Sequence, residues 1–97
     1  MKKEATIHSE HASKYLTVLC RHFSRKVESV WDEYRGHVIF PMGEAQFYAD
    51  QSRQTLRIEC EADDEVKLKH VLAIIDGHVH LFSRREPLQL DWVVMAV

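Results

Sequence analysis

The stretch "TLRIECE", Thr55 to Glu61, alternates apolar and polar side chains without a break. Successive side chains of a β-strand point to opposite faces, so Leu56, Ile58 and Cys60 share one face of the predicted strand and the charged residues share the other. A strand with one apolar and one polar face is typical of an antiparallel sheet that is covered on one side and open to water on the other. The pattern therefore predicts a sheet with a single packed layer against it.

Four short strands, of which "TLRIECE" is the last, are predicted between Val27 and Glu61. The turn signals that divide them are Arg35-Gly36, Met42-Gly43 and the polar run Gln51 to Gln54. In "EAQFYAD", residues 44–50, the alternation is weaker but still places Phe47 on the inward face. "VESVWDEY", residues 27–34, is the least regular strand, because Val30 and Trp31 are adjacent and cannot share a face without a bulge.

Two segments carry the three- and four-residue apolar spacing of a helix that rests one stripe on a core. Ser9 is the expected N-cap of the first helix, which runs to about Ser24. The second helix is expected to begin at a cap formed by Asp63 or Asp64, and Gly77 inside it costs about 1 kcal/mol relative to alanine without ending it. The two stripes consist of Ala12, Tyr15, Leu16, Leu19 and Phe23, and of Leu68, Val71, Leu72, Ile75, Val79 and Phe82.

A last strand is predicted after the second helix, because Pro87 ends any helix there. The residues Leu88, Leu90, Trp92 and Val94 alternate as they do in a strand with one buried face. Together with a short extended start at Ala5 to Ile7, the element order becomes β-α-β-β-β-β-α-β. This order predicts an α+β two-layer sandwich, an antiparallel sheet with two helices packed on one face. No linker or repeat divides the chain, so we expect residues 1–97 to form a single domain.

Charge and composition argue against several functional classes. Thirteen Lys and Arg stand against fifteen Asp and Glu, so no overall field attracts nucleic acid or an anionic membrane. The apolar tail, residues 92–97, is far shorter than the roughly 20 residues of a membrane-spanning helix. The sequence contains two cysteines but no CxxC pair, and no apolar run follows its two early lysines. Both features predict a cytoplasmic protein in a reducing compartment. Seven histidines predict behaviour that changes near pH 6.

Cys20 and His22 lie close together in the sequence but not on the predicted helix, where they point about 160° apart. They cannot bind one metal ion or act as a nucleophile and base pair while the helix is intact. Cys20 lies at one edge of the apolar stripe and is expected to behave as a small buried hydrophobe, with a reactive thiolate beside Arg21 as the alternative. His22 lies on the opposite flank, where we expect a boundary histidine that is hydrogen-bonded to the sheet.

His78 and His80 are about 200° apart on the second helix, with His78 beside the apolar stripe and His80 facing water. No CxxC or HxxxH spacing occurs, so no metal site is predicted. Arg84, Arg85 and Glu86 follow directly after this helix. The two arginines either complement the negative end of the helix dipole or, beside the glutamate, bind a planar anion in a bidentate manner. The sequence contains none of the common nucleophile or nucleotide-binding motifs, so no enzyme class has positive support.

The segments "ASKYLTVLCRHFSRK", residues 12–26, and "HVHLFSRREPLQLDW", residues 78–92, together resemble a bacterial domain-of-unknown-function family, number 2218. Its members have the motifs ASxYLxxLCxHFxHK and HLxxFxxREPLxxxW, and the resemblance extends from Ala5 to Trp92. This sequence departs from the motifs at Arg25 and Arg84. The matching positions are Tyr15, Leu16, Leu19, Cys20, His22, Phe23 and Lys26 in the first motif, and His78, Phe82, Arg85, Glu86, Leu88 and Trp92 in the second.

The resemblance implies a small α+β bacterial protein without an established activity. Members of the family also occur beside, or fused to, flavin-dependent siderophore-interacting reductases. The resemblance therefore implies iron uptake as a setting and such a reductase as a partner, while it supplies no mechanism.

The leading hypothesis is a non-enzymatic binding or accessory module that uses Arg21, His22, Arg85 and Glu86 to bind a small anionic ligand. Charged and imidazole side chains gather at the ends of both helices, where a two-layer domain can leave a groove. The first alternative is a small enzyme that uses His22 or Cys20 with Glu86, which requires these side chains to come within about 3 Å of each other. The second is an oligomer-forming domain that pairs through its open sheet face or an edge strand. The sequence does not indicate which cofactor, if any, the protein binds.

Overall fold

The computed structural model describes residues 1–82 and 90–95. It confirms the predicted order of elements, although the first strand is longer than the expected Ala5 to Ile7. In chain order the elements are β1 (Lys2–His8), α1 (Ala12–Phe23), β2 (Glu28–Trp31), β3 (Arg35–Phe40), β4 (Gly43–Asp50), β5 (Thr55–Ala62), α2 (Glu65–Phe82) and β6 (Val93–Val94).

The six strands form one antiparallel sheet in the order β2-β3-β4-β5-β1-β6. Strands β2 to β5 follow one another as hairpins, and β1 is inserted between β5 and the short last strand. Helix α1 packs on β2 to β5, α2 packs on β4 and β5, and the two helices also contact each other. The α+β prediction is therefore confirmed, with the helices forming the second layer.

The core lies between the sheet and the helices. The inward residues of "TLRIECE", Leu56, Ile58 and Cys60, are all fully buried, as the alternation predicts. Phe47 on the central strand β4 is also fully buried, and it belongs to the same core cluster as Leu16 and Leu19 of α1. Each such aliphatic or aromatic side chain contributes about 1.5–3 kcal/mol when it leaves water, so the buried faces of β4 and β5 contribute substantially to the stability of the fold.

The turn predicted at Arg35-Gly36 is wrong, because β3 already begins at Arg35. The chain reverses just before, where the Asp32 Oδ1 atom accepts hydrogen bonds from the backbone N–H groups of Tyr34 and Arg35. Gly36 instead allows a close approach between layers: a Cβ atom there would lie 2.5 Å from the Cys20 Sγ atom. The glycine therefore signals helix–sheet packing at this position and not a turn.

The start of α1 differs from the prediction, whereas the start of α2 agrees with it. His11, not Ser9, occupies the N-cap position of α1. The Ser9 Oγ atom accepts a hydrogen bond from the His11 N–H at 3.0 Å, so it stabilises the turn that leads into the helix. At α2, the Asp64 Oδ1 atom accepts a hydrogen bond from the Lys67 N–H at 2.8 Å, as expected of an N-cap aspartate.

The two edge strands of the sheet, β2 and β6, are short, and most of their side chains are exposed. On β2, Val30 is paired with His37 and Trp31 with Gly36, so the two residues lie on opposite faces and need no bulge. On β6, the buried position predicted for Val94 is wrong, because a two-residue strand at the sheet edge leaves it 72% exposed. Trp92 is partly buried against the core as expected, and Leu88 lies outside the described residues.

Candidate functional site

The thiol of Cys20 is enclosed in the core. The residue has no exposed surface, and burial raises the pKa of its thiol to about 12, although a hydrogen bond with Ser29 opposes part of this rise. The same Ser29 hydroxyl donates to the Cys20 carbonyl oxygen at 2.8 Å. A neutral, inaccessible thiol is a poor nucleophile, so the structure confirms the interpretation of Cys20 as a small buried hydrophobe.

The two helices bring His22 and His78 into contact. Their ring centroids are 4.8 Å apart with an interplanar angle of 55°, and both side chains are partly buried. Phe23 completes the contact, since its ring lies 4.6 Å from that of His78 and 5.3 Å from that of Phe40 in the core. We refer to His22, Phe23 and His78 as the histidine notch.

The tautomer of His78 is set by its own helix. Its Nδ1 atom lies 2.7 Å from the carbonyl oxygen of Ile74, one turn earlier. A carbonyl oxygen only accepts hydrogen bonds, so the neutral ring carries its proton on Nδ1 and leaves a lone pair on Nε2.

The surroundings of His22 are electropositive. Burial lowers the pKa of His22 below its ordinary value of 6.5, and His78, Arg25 and Lys26 lower it further. Each of these neighbours is a cation or becomes one on protonation. His22 therefore resists protonation in the folded protein, and a bound anion would favour its charged form.

This lowered pKa predicts that acid weakens the fold. Above pH 6.5 His22 is neutral in both the folded and the unfolded chain, so it has no effect on the free energy of unfolding. As the pH falls below 6.5, the unfolded chain takes up the proton first, so stability is lost until the pH has passed the lower, folded pKa. Urea unfolding at pH 7.5 and pH 5.5 measures this loss. We expect it to be smaller in His22→Asn.

The matched control for that measurement is His80→Asn, since His80 is exposed on α2. This variant should lose as much stability on acidification as the unsubstituted protein. An equal loss in His22→Asn would contradict the assignment of the pH effect to the notch.

Of the residues predicted to bind a ligand, the structure describes Arg21 and His22 only. Arg21 is exposed on the last turn of α1, next to His22. Arg84, Arg85 and Glu86 lie outside the described residues, so their part in a site stays a prediction. His78 was not among the predicted site residues, although it belongs to the second motif, as His22 belongs to the first.

The other predicted histidine positions agree with the helical geometry. His78 is partly buried and His80 is exposed, which agrees with the predicted positions beside the apolar stripe and facing water. His11 contacts Tyr15 edge to face, with ring centroids 6.3 Å apart. Among residues 1–82 and 90–95, no group of three or more His, Cys, Asp or Glu side chains is placed to hold a metal ion.

The sheet face opposite the helices, here called the outer face, carries a second cluster that the sequence analysis did not assign. The Cζ atom of Arg57 lies 4.4 Å from the ring centroid of Tyr48, and that of Arg35 lies 5.8 Å away. Hollows of about 400 and 630 Å³ flank this tyrosine. The strand alternation identified outward positions, but the register that gathers them around Tyr48 was not readable from the sequence.

Comparison with known proteins supports the fold and places the chain in a family. The NMR structure of PA4090 from Pseudomonas aeruginosa is similar, with a TM-score of 0.77 and 22% sequence identity, over 95% of this chain and 94% of that one. At this identity the similarity shows the fold alone. No curated protein matches the chain. Neither helix, as far as the structure describes the chain, combines the length and the apolar character of a membrane-spanning segment.

The family assignment follows from the match over nearly the whole length. The family model described as "Uncharacterized protein conserved in bacteria (DUF2218)" matches residues 4–93 and so includes both helices and the histidine notch. The chain belongs to this bacterial family.

Proposed function

We propose that the protein is a non-enzymatic binding module that holds a small anion at the histidine notch. The observation that supports this function is the contact between His22 and His78, whose rings meet at 4.8 Å although the residues lie in two distant motifs. Two helices that converge on a pair of partly buried imidazoles form a site whose shape is largely set before the ligand arrives.

An anion suits the charges of the notch better than a cation does. Among the described residues, the charged groups that act on the pKa of His22 are His78, Arg25 and Lys26, all of them cationic or able to become so. Partial burial strengthens their attraction for an opposite charge, because the local dielectric constant is lower than in water. Arg21, on the same helix turn as His22, adds to this positive charge in the proposal. The part of Arg85 and Glu86 stays a prediction from the sequence.

Anion binding at this site is coupled to proton uptake. A bound anion favours the charged imidazolium and so reverses the lowering of the His22 pKa. Affinity for an anion should therefore increase as the pH falls below 6.5. A metal ion at the same imidazoles would show the opposite trend, because it binds the neutral rings and releases protons.

The experiment is calorimetric titration with sulfate, whose charge stays constant between pH 5.5 and 7.5. We expect binding to tighten about tenfold as the pH falls through this range, and to weaken about tenfold at pH 5.5 in both His22→Asn and His78→Asn. His80→Asn is the matched control and should bind as the unsubstituted protein does. Melting temperatures of all variants separate loss of binding from loss of fold.

Affinity that falls in acid, or that does not depend on His22 and His78, would contradict the proposal. The first outcome would instead favour metal coordination.

The same proposal extends to a role in iron uptake, which is the setting that the family resemblance implies. Carboxylate and catecholate siderophores are anions, so they fall within the ligand class that the notch suits. The partner would be a flavin-dependent siderophore-interacting reductase in the cytoplasm. The two free, buried cysteines are compatible with that reducing compartment. Titration of a ferric siderophore and of the reductase against His22→Asn tests this part separately from sulfate binding.

The enzyme alternative has less support. Cys20 has no exposed surface and a raised thiol pKa, so it cannot serve as the nucleophile in this fold. Glu86, the proposed partner of His22 in that alternative, lies outside the described residues.

A further inference from the structure

Strand β2 lies at one edge of the sheet, where β3 is its only neighbour among the described strands. Hydrogen-bonded pairs alternate along an antiparallel ladder, so one such bond shows which backbone groups face β3. The Asp32 N–H donates to the carbonyl oxygen of Arg35 at 2.8 Å. Every second residue of β2 counted from Asp32 therefore bonds to β3, and the N–H and C=O groups of Ser29 and Trp31 point to the open edge.

The residues around this edge have a charge pattern that complements itself when it is read in the opposite direction. The segment "RKVESVWDE", residues 25–33, begins with two cations, ends with two carboxylates and has Ser29 at its centre. Among the described residues, none of its charged side chains has an opposite charge within ion-pair distance. These charges are therefore available to a second strand that runs antiparallel to β2.

We propose that β2 pairs with β2 of a second copy of this chain, antiparallel and centred on Ser29. Each Ser29 then faces the other, so that the backbone groups that point to the open edge meet in a hydrogen-bonded pair. A two-fold axis perpendicular to the sheet relates the copies, as in an isologous dimer. The two six-stranded sheets become one continuous sheet with the helices of both copies on the same side.

This register brings opposite charges together at both ends of the pair. Lys26 lies opposite Asp32 of the second copy. Arg25 lies opposite Glu33 of the second copy, and the two-fold axis repeats both pairs. Asp32 accepts the hydrogen bonds of its own turn through Oδ1, so its Oδ2 atom is left for the lysine. Opposite charges across an antiparallel pair stabilise it, and the long basic side chains give them reach.

The same charges disfavour the neighbouring registers. A pair centred on Val30 would place Glu28 directly opposite Asp32 of the second copy. A pair centred on Glu28 would place the two Glu28 side chains opposite each other. Like charges in these positions destabilise a strand pair, so the charge pattern selects the register that is centred on Ser29.

The uncharged residues of the segment suit the same register. Trp31 lies opposite Val27 of the second copy on the helical side of the sheet, which joins two apolar side chains. Val30, which is 62% exposed, lies opposite Glu28 on the other side. One short strand from each copy makes a small interface, so we expect a weak and reversible dimer.

Val30 provides the test, because its position opposite Glu28 makes two substitutions act in opposite directions. Val30→Lys adds an attraction to Glu28 of the second copy, whereas Val30→Glu adds a repulsion, and the two-fold axis doubles each effect. In sedimentation equilibrium at low salt and up to about 1 mM protein, we expect Val30→Lys to dimerise about tenfold more tightly than Val30→Glu. Adding Glu28→Lys to Val30→Glu should restore the dimer.

Val66→Lys and Val66→Glu are the matched controls, since Val66 is 65% exposed but lies on α2. Both should dimerise as the unsubstituted protein does. Hydrogen exchange adds a second measurement: the Ser29 N–H should exchange more slowly as the protein concentration rises. Far-UV circular dichroism checks that all variants are folded.

An unsubstituted protein that stays monomeric up to about 1 mM would overturn the proposal. A dimer that Val30→Lys and Val30→Glu retain equally would overturn it as well, and so would exchange at Ser29 that does not depend on concentration. The substituted residues lie outside the histidine notch, so this outcome is separate from that of the sulfate titration.

Discussion

Gly43→Ala is expected to reduce the free energy of unfolding by about 3 kcal/mol, at the upper end of the usual cost of overpacking. A Cβ atom at this position would lie closer than 3.0 Å to the backbone oxygen of Glu61, and only 3.0 Å from Val71 Cγ2. The oxygen belongs to β5, whose register with β4 is fixed by pairs from Gly43↔Ala62 to Asp50↔Thr55. A backbone atom in a paired strand cannot move aside as a flexible side chain can. Urea denaturation followed by circular dichroism measures the loss.

Gly77→Ala is the matched control, since the same substitution should here increase stability by about 0.5–1 kcal/mol. A Cβ atom at Gly77 would meet nothing within 4 Å, and the residue lies inside α2, where alanine has the higher helix propensity. The two glycines therefore predict effects of opposite sign from one chemical change. Equal effects at both positions would contradict the close approach between Gly43 on β4 and the backbone oxygen of Glu61 on β5.

Phe47→Ala is expected to cost about 3–5 kcal/mol, the range found when a fully buried aromatic side chain is removed from a core. Phe47 has no exposed surface and lies between Gly36 on β3 and Ile58 on β5. For a chain of this length such a loss lowers the melting temperature by roughly 12–40 °C. Differential scanning calorimetry or thermal circular dichroism gives the value.

The adjacent Tyr48→Ala tests which face of β4 is buried. Tyr48 lies on the outer face, where its ring contacts Arg35 and Arg57 and its hydroxyl donates a hydrogen bond to Gln46, so its removal should cost only about 1 kcal/mol. A larger cost at Tyr48 than at Phe47 would mean that β4 is shifted by one residue and that the helices cover the other face.

Periodicity predicted the elements because it reports directly on burial. The alternation in "TLRIECE" predicted which side of β5 is buried, and the apolar stripes predicted both helices. Glycine was harder to interpret, since Gly36 permits a close approach to Cys20 and the sequence alone could not distinguish that role from a turn. The burial of the two-residue strand β6 was also overestimated, because the apolar character of a strand does not show whether a neighbouring layer covers it.

The candidate site was predictable only in part. Helical geometry excluded a joint role for Cys20 and His22, and it placed His78 beside the apolar stripe of α2 and His80 in water. The meeting of His22 and His78 depends on how two helices pack, and local spacing carries no information about that distance. The cluster around Tyr48 on the outer face likewise depends on strand register, which a sequence specifies through the whole core and not through any one motif.

The burial of the two cysteines has a practical consequence for measuring local opening. Cys20 lies on α1, whereas Cys60 lies on β5 near Asp76 of α2, and burial raises the pKa of both thiols to about 12. An alkylating reagent in solution therefore reaches each sulfur only when the layer above it separates. The rates of labelling at the two positions would report whether the helices leave the sheet together or one at a time, without any probe being added to the protein.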